Sequence, residues 1–435
     1  MSRAKPWLRE LLRFLVYGLI GIAIVLAFVR SNGYKVAFRE VEARKTSPYR
    51  PVDFTTDGAE PRLVHDFEPD AVPRNVVLFV GDGLGFAQLL AARAELVGLN
   101  RRLAIERMPM TGWIHTHART SLGTDSAAGA TALATGQKVK PGRLSLHTDG
   151  RSFRTLAEAA RDDGLAVGVV TDSYLWDATS GAFLVHLPKR GMYSDVARQM
   201  AASGAEFLAG TLTGRPLADY GEAAAVGDLE AGGFAVARFW HDVENLPSEG
   251  PLALLFDYKS IAARHLETDL FEIATLGLDR LATDPEGFFM VIETEETDTG
   301  SHHHDFQRVM AGIDTFDKTV AHVLELAQRD RETLVLLTAD HETGGLSLHN
   351  ASPGGTLEVE WATFGHTAAP VPFFAYGPGA QRFVGALDNT EPARILADLM
   401  GWGIGDATEN PADPEAAEGP VGDDDGGSPE APEAD

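Results

Sequence analysis

The chain has 435 residues, 44% of them apolar, a formal net charge of −26 and no cysteine. That length and apolar share can bury a large core, while a pI near 4.9 argues against a nucleic-acid binder, which needs clustered Lys and Arg. Without thiols there is no disulfide framework, no thiolate metal ligand and no catalytic residue matured from cysteine.

Residues 1–13 form a basic tail with Arg3, Lys5, Arg9 and Arg13. Phe14 to Val29 follows, uncharged and almost wholly apolar. As a helix it reaches about 24 Å, a little short of the ~30 Å hydrocarbon core, and Leu11, Leu12 and a snorkelling Arg13 extend it. Val29 and Ser31 make only a weak cleavage site, so residues 14–29 are expected to be an uncleaved transmembrane helix, with secretion after signal cleavage as the alternative. Basic residues flank both ends of the span. The expected arrangement is a single pass, with the short tail inside and the large domain outside the cytoplasmic membrane. Residues 30–73 read as a linker with at most one short strand.

From about residue 74 the pattern changes. Asn75 to Val80 is a continuous apolar run closed by Gly-Asp-Gly, the pattern of a strand buried on both faces. "LAVGVVTDS", "GFFMVIETEETD", "TLVLLTADHE" and "VPFFAYGPGA" repeat it, with helical segments such as "FRTLAEAARDDG" and "RVMAGIDTFDKTVAHVLELAQ" between them. Strands alternating with helices predict a doubly wound α/β domain over residues 74–404, with a mostly parallel central sheet and helices on both faces. Met192 to about Leu281 is less regular and is expected to elaborate the substrate side. Residues 405–435 hold Asp, Glu, Pro, Gly and Ala without a single Lys or Arg, the composition of a disordered acidic tail.

The polar residues fall at the carboxyl ends of these strands, where ligands bind in open α/β sheets. Asp82 closes the first strand, Thr171 and Asp172 the second, Glu293 onward the third, and Asp340 and His341 the fourth. Asp177 and Thr179 in "WDATS", Asp298 and His302 in "ETDTGSHHH", and His366 in "FGHT" are further candidates. Mixed Asp and His suit Zn2+, and Asp, Glu and Thr oxygens suit Mg2+. Which of His302, His303 and His304 faces a metal is a matter of register. Ser126 follows Asp125 at the head of "GTDSAAGATALATG", a run thin enough for a helix to pack against another backbone. A hydroxyl there can meet an anion at a helix N-terminus.

Together these motifs resemble the alkaline phosphatase family: "VVLFVGDGLG", "TDSAAGATALATG", "DATSGAFLVHLPKR", "VIETEETDTGSH", "LVLLTADHE" and "GHTAAPVPFFAYGPGA", in the expected order from about Asn75 to Met400. The resemblance implies a phosphomonoesterase acting through a phosphoserine at a site with two Zn2+ and one Mg2+. Asp298, His302 and His366 would hold the first Zn2+. Asp82, Asp340 and His341 would hold the second, with Ser126 reaching it. Asp82, Thr179 and Glu293 would hold the Mg2+, with Asp177 behind it. Arg190 would clamp the phosphate of a small monoester, and Asp125 would orient Arg190. Thr299 stands where family members often carry Lys, His or Trp, which bears on metal preference and pH optimum. His366 follows His341 by only about 25 positions, too few for the large insertion of some relatives, and this leaves a homodimer an open question. A phosphodiesterase or nucleotide pyrophosphatase on the same fold is the alternative. It is disfavoured by Ser126, where that group usually has Thr, and by Arg190. The missing cysteine disfavours a sulfatase. A membrane-tethered metal- or phosphate-binding protein without turnover ranks third.

Overall fold

The structure, a computed structural model, describes residues 45–46, 52–53, 58, 60–212, 220–238, 240–243, 247, 249–256, 270–350 and 355–405. The expected tail 1–13, the apolar span 14–29, much of the linker and the acidic tail from residue 406 lie outside them. Among the described residues no helix is long and apolar enough to cross a membrane.

The strands are β1 (Lys45–Thr46), β2 (Asn75–Gly81), β3 (Met110–His115), β4 (Ala166–Tyr174), β5 (Phe207–Thr211), β6 (Ala235–Ala237), β7 (Leu252–Phe256), β8 (Phe288–Thr294), β9 (Thr333–Thr338), β10 (Glu342–Thr343), β11 (Leu346–Asn350), β12 (Glu358–Trp361), β13 (His366–Thr367), β14 (Val371–Tyr376) and β15 (Gly385–Asp388). The helices that matter to the site are α1 (Phe86–Ala92), α2 (Ser126–Thr135), α3 (Leu156–Asp162), α4 (Ala178–Leu184), α5 (Tyr193–Ala201), α6 (Glu222–Ala231), α7 (Leu270–Leu281), α8 (Glu296–His302), α9 (Phe306–Asp330) and α10 (Glu391–Met400).

Ten strands form one sheet in the order β15-β3-β14-β9-β2-β8-β4-β5-β7-β6. Neighbours pair in parallel except at β14, which is antiparallel to both β3 and β9. Val76 to Val80 and all of β8 and β9 are buried, as strands covered by helices on both faces require. One cover is α9, which turns Val309, Ile313, Phe316, Val320 and Leu324 inward at helical spacing.

Two expectations need correcting. The "VPFFAYGPGA" strand is β14, the one strand that opposes the rest. Its amino end therefore lies at the edge where the other strands end, so His366, just before it in sequence, reaches the same edge as residues that follow their strands. The segment from Met192 to Leu281 extends the sheet itself. Its short apolar runs "FLAGT" and "LALLF" become the buried strands β5 and β7, and β6 pairs onto β7. Five-residue runs without clear punctuation are hard to tell from buried loop or helix by periodicity.

Candidate active site

The adjacent strands β9, β2, β8 and β4 deliver the acids to one edge. Asp82 follows β2, Glu293 is the next-to-last residue of β8, Asp172 lies in β4, and Asp340 and His341 follow β9. Asp82, Glu293, Asp340 and His341 are each at most 1% exposed. The β10–β13 pairing sets Thr343 opposite His366, which places the "GHT" motif beside the "DHE" motif. Gly83 adopts φ +70°, and a Cβ there would sit 2.8 Å from the Asp298 Cα, so only glycine lets α8 come this close.

Among the described residues three groups of donors result, each with one donor atom per residue and all atoms of a group within 4.8 Å of one another: Asp298, His302 and His366; Asp82, Asp340 and His341; and Asp82, Glu295 and Asp298. In the first, His302 Nε2 lies 3.2 Å from Asp298 Oδ2 and 3.1 Å from His366 Nε2. Of the three consecutive histidines, His302 is the one that joins this group. His303 Nδ1 turns to the Thr299 carbonyl, and His304 stacks on Phe364 and Trp361. In the second, His341 Nε2 is 3.4 Å from Asp82 Oδ1 and 3.3 Å from Asp340 Oδ2.

The hydrogen bonds behind the histidines fix their tautomers. His366 Nδ1 donates to the Thr124 carbonyl at 2.8 Å, and His302 Nδ1 to the Phe364 carbonyl. The Thr343 hydroxyl gives its proton to Asp298, so it accepts from His341 Nδ1–H. All three rings thus aim an Nε2 lone pair at the acids, the arrangement of metal-binding histidines. Two such lone pairs 3.1 Å apart repel unless a cation or proton lies between them.

The acids show the same want of positive charge. Asp82 Oδ1, both carboxylate oxygens of Glu293 and Asp340 Oδ2 are buried without a hydrogen-bond partner, a costly state for an ionised group. Burial first, and then neighbouring carboxylates, push Asp340 up to about 7 and Glu293 up to about 8, and hold Asp82 well above the usual carboxylate range. The donor set therefore fits divalent cations. Thr179 Oγ1 donates to Asp82 Oδ2 at 3.3 Å, while Glu293 stands outside the donor groups above.

Ser126 is the first residue of α2, and its Oγ is 3.4 Å from His341 Nε2 and accepts from Arg190 Nη1 at 3.3 Å. All of α2 is buried, and a Cβ on Gly129 would meet the Asp340 carbonyl oxygen at 2.8 Å. The thin sequence therefore serves close approach to the acids. Asp125 is chiefly the cap of this helix. It accepts from Ala128 N at 3.0 Å and Gly142 N at 2.8 Å, and stands 3.8 Å from Arg190. The nearer acid is Asp177, 2.8 Å from Arg190 Nη2, so the expected orienting role of Asp125 falls mainly to Asp177. Asp177 also caps α4 and accepts from Ser173, and it stands outside the three donor groups. Burial opposes the Arg190 charge, but Asp177 and Asp125 hold its pKa above the ordinary value.

Sequence reasoning passed over Glu295 and the role of Asp172. Asp172 accepts from the Thr294 hydroxyl at 2.8 Å and from Glu295 N at 2.7 Å, and so pins the turn out of β8. The second acid in "ETEETD", two residues after Glu293, was the available signal for Glu295.

A family model described as alkaline phosphatase matches residues 73–213 and 257–360. A streptomycin-6-phosphate phosphatase of Streptomyces griseus is 31% identical over 76% of this chain and 91% of its own length. The alkaline phosphatase of Escherichia coli K12 is 25% identical over 80% and 92%. The solved alkaline phosphatase from the Antarctic bacterium TAB5 superposes with a TM-score of 0.69 at 25% identity, over 77% of this chain and 99% of that one. A mutant of it carries Mg bound in a site termed M3, with a TM-score of 0.68 at 25% identity over the same shares.

Proposed function

The chain belongs to the alkaline phosphatase family and is a phosphomonoesterase, and from that premise we propose that it cleaves small phosphate monoesters through a phosphoserine on Ser126 at a site for two Zn2+ and one Mg2+. The observation that carries this reading is the set of buried, unpartnered oxygens on Asp82, Glu293 and Asp340 beside Nε2 lone pairs and a serine hydroxyl. Asp298, His302 and His366 would hold one Zn2+. Asp82, Asp340 and His341 would hold the other, with Ser126 at its side. Asp82, Thr179 and Glu293 would hold Mg2+, as the Mg-bound TAB5 mutant encourages. When bound, these cations neutralise phosphoryl charge and lower the pKa of the serine hydroxyl.

Ser126 Oγ attacks phosphorus, the ester P–O bond breaks and the alcohol leaves; water then cleaves the phosphoserine and frees phosphate. The amino end of α2 presents backbone N–H groups to the phosphoryl oxygens. Arg190 spans two of those oxygens with its planar fork, held in place by Asp177 and Asp125. The Streptomyces relative is named for streptomycin 6-phosphate, itself a monoester, in keeping with a small monoester as substrate here.

Trapping at acid pH with a labelled monoester should place the label on Ser126. Ser126→Ala should abolish trapping and cut turnover by at least ~10²-fold, the scale of a lost transition-state group. Label on another residue would overturn the assignment. We further propose that the apolar span 14–29 holds the catalytic domain outside the cytoplasmic membrane.

A further inference from the structure

Glu295 belongs to neither histidine-containing donor group nor to the Asp82–Thr179–Glu293 site, yet one of its carboxylate oxygens lies within 4.8 Å of an oxygen of Asp82 and one of Asp298. The position is built. Asp172 pins the Glu295 backbone N–H at 2.7 Å, and the Thr299 hydroxyl, one turn along α8, donates to Glu295 Oε1 at 3.2 Å. These two bonds hold a half-buried carboxylate at acids it would otherwise avoid. Asp82 is 1% exposed, and its Oδ1 has no hydrogen-bond partner. The Arg190 guanidinium, whose charge reaches Glu295, is already engaged by Asp177 and Asp125. Three carboxylates held this close repel one another strongly unless protons or a cation lie among them.

We propose that Glu295 is a metal ligand, forming with Asp82 and Asp298 an all-carboxylate seat for a hard divalent cation. The donor chemistry selects the class. Carboxylate oxygens without imidazole suit Mg2+, Mn2+ or Ca2+ rather than Zn2+. The seat shares Asp298 with the first histidine group, and Asp82 with both the second histidine group and the Thr179–Glu293 site; the two oxygens of a carboxylate offer about four lone-pair sites between them. It deepens the metal reading above and rests on Asp82 and Asp298 being ligands. Thr299 then acts as a positioning residue that steers Glu295 into the seat.

The test uses the full-length protein, stripped with a chelator, reloaded with two equivalents of Zn2+ and titrated with Mn2+. Free Mn2+ is followed by its electron paramagnetic resonance signal, and zinc is counted by elemental analysis. Wild type should take up Mn2+ in two classes. Glu293→Gln should remove one of them. Glu295→Gln should weaken the other by about 10- to 100-fold and leave the zinc count at the wild-type value. Thr299→Val should weaken the same class by a smaller factor. Equal melting temperatures of wild type and Glu295→Gln in chelator would establish that the variant is folded.

Glutamine mimics a protonated Glu295. A Glu295→Gln isotherm identical to wild type would therefore overturn the proposal, the carboxyl being a neutral hydrogen-bonding group. Loss of zinc with Mn2+ binding intact would also overturn it, since Glu295 would then serve the histidine sites. A stripped wild type that takes up neither Zn2+ nor Mn2+ would bring down the metal reading of Asp82 and Asp298 as a whole, an outcome distinct from a failure at Glu295 alone.

Discussion

Arg190 joins the two halves of the site, because one nitrogen faces Ser126 and the other is paired with Asp177. A monoester offers its fork two charged oxygens and a diester offers one charge. Arg190→Ala should therefore slow monoester hydrolysis by about 10²-fold, the scale of a lost transition-state donor, and slow diester hydrolysis much less. Equal losses on the two substrates would make Arg190 a structural residue. The acids predict a pH dependence. Asp340 at about 7 and Glu293 at about 8 are raised by burial and by neighbouring carboxylates, whereas in an unfolded chain both titrate near ~4. Between those limits the folded, metal-free chain binds more protons than the unfolded one, so its stability falls as pH rises from ~4 to ~8. Metal loading should flatten this slope by supplying the missing positive charge. Melting temperatures with and without chelator across that window would check it, and a flat profile in chelator would mean protein groups already satisfy these acids.

Helix α2 is the element on which the geometry turns. Its ten buried residues bring Ser126 to His341 because Gly129 passes against the Asp340 backbone. Gly129→Ala should cost about 1–3 kcal/mol by overpacking and weaken metal binding at Asp82, Asp340 and His341. Gly227→Ala on α6, where a new Cβ meets nothing within 4 Å, is the control and should be neutral or slightly stabilising. Thermal melts with zinc counts on both variants test the contrast. The loop that carries Arg190 is also held from behind. His186 pairs with Glu158 at 3.0 Å and with the Ser145 carbonyl at 2.8 Å, while Glu158 completes the capping box of α3.

For the molecule as a whole, the proposed anchor and the catalytic domain should be separable. Removing residues 1–35 should give a soluble enzyme with unchanged rates, because the candidate site residues all lie from Asp82 to His366. Full-length activity should sediment with membranes and dissolve in detergent, and protease added to intact spheroplasts should digest the domain. Protection until the membrane is broken would reverse the orientation, and soluble full-length protein beginning near Asn32 would mark a cleaved signal. Much of this protein was legible in one dimension. The apolar runs that end in acids are local patterns, since a strand buried on both faces must be apolar and a ligand edge must be polar, and they announced both the α/β sheet and Asp82, Glu293, Asp340 and His341. The family motifs carried Ser126, Arg190 and His366. Other features depend on pairing across long stretches of chain. The reversed direction of β14, the sheet strands β5, β6 and β7, the placing of His302 rather than its two neighbours in the donor group, and the closer pairing of Arg190 with Asp177 than with Asp125 were decided only in the folded structure. The approach of Glu295 to Asp82 and Asp298 belongs with them. Residue type tells which chemistry a side chain can do, but strand direction, register and backbone approach decide which side chains meet, and those follow from burying the whole sheet at once.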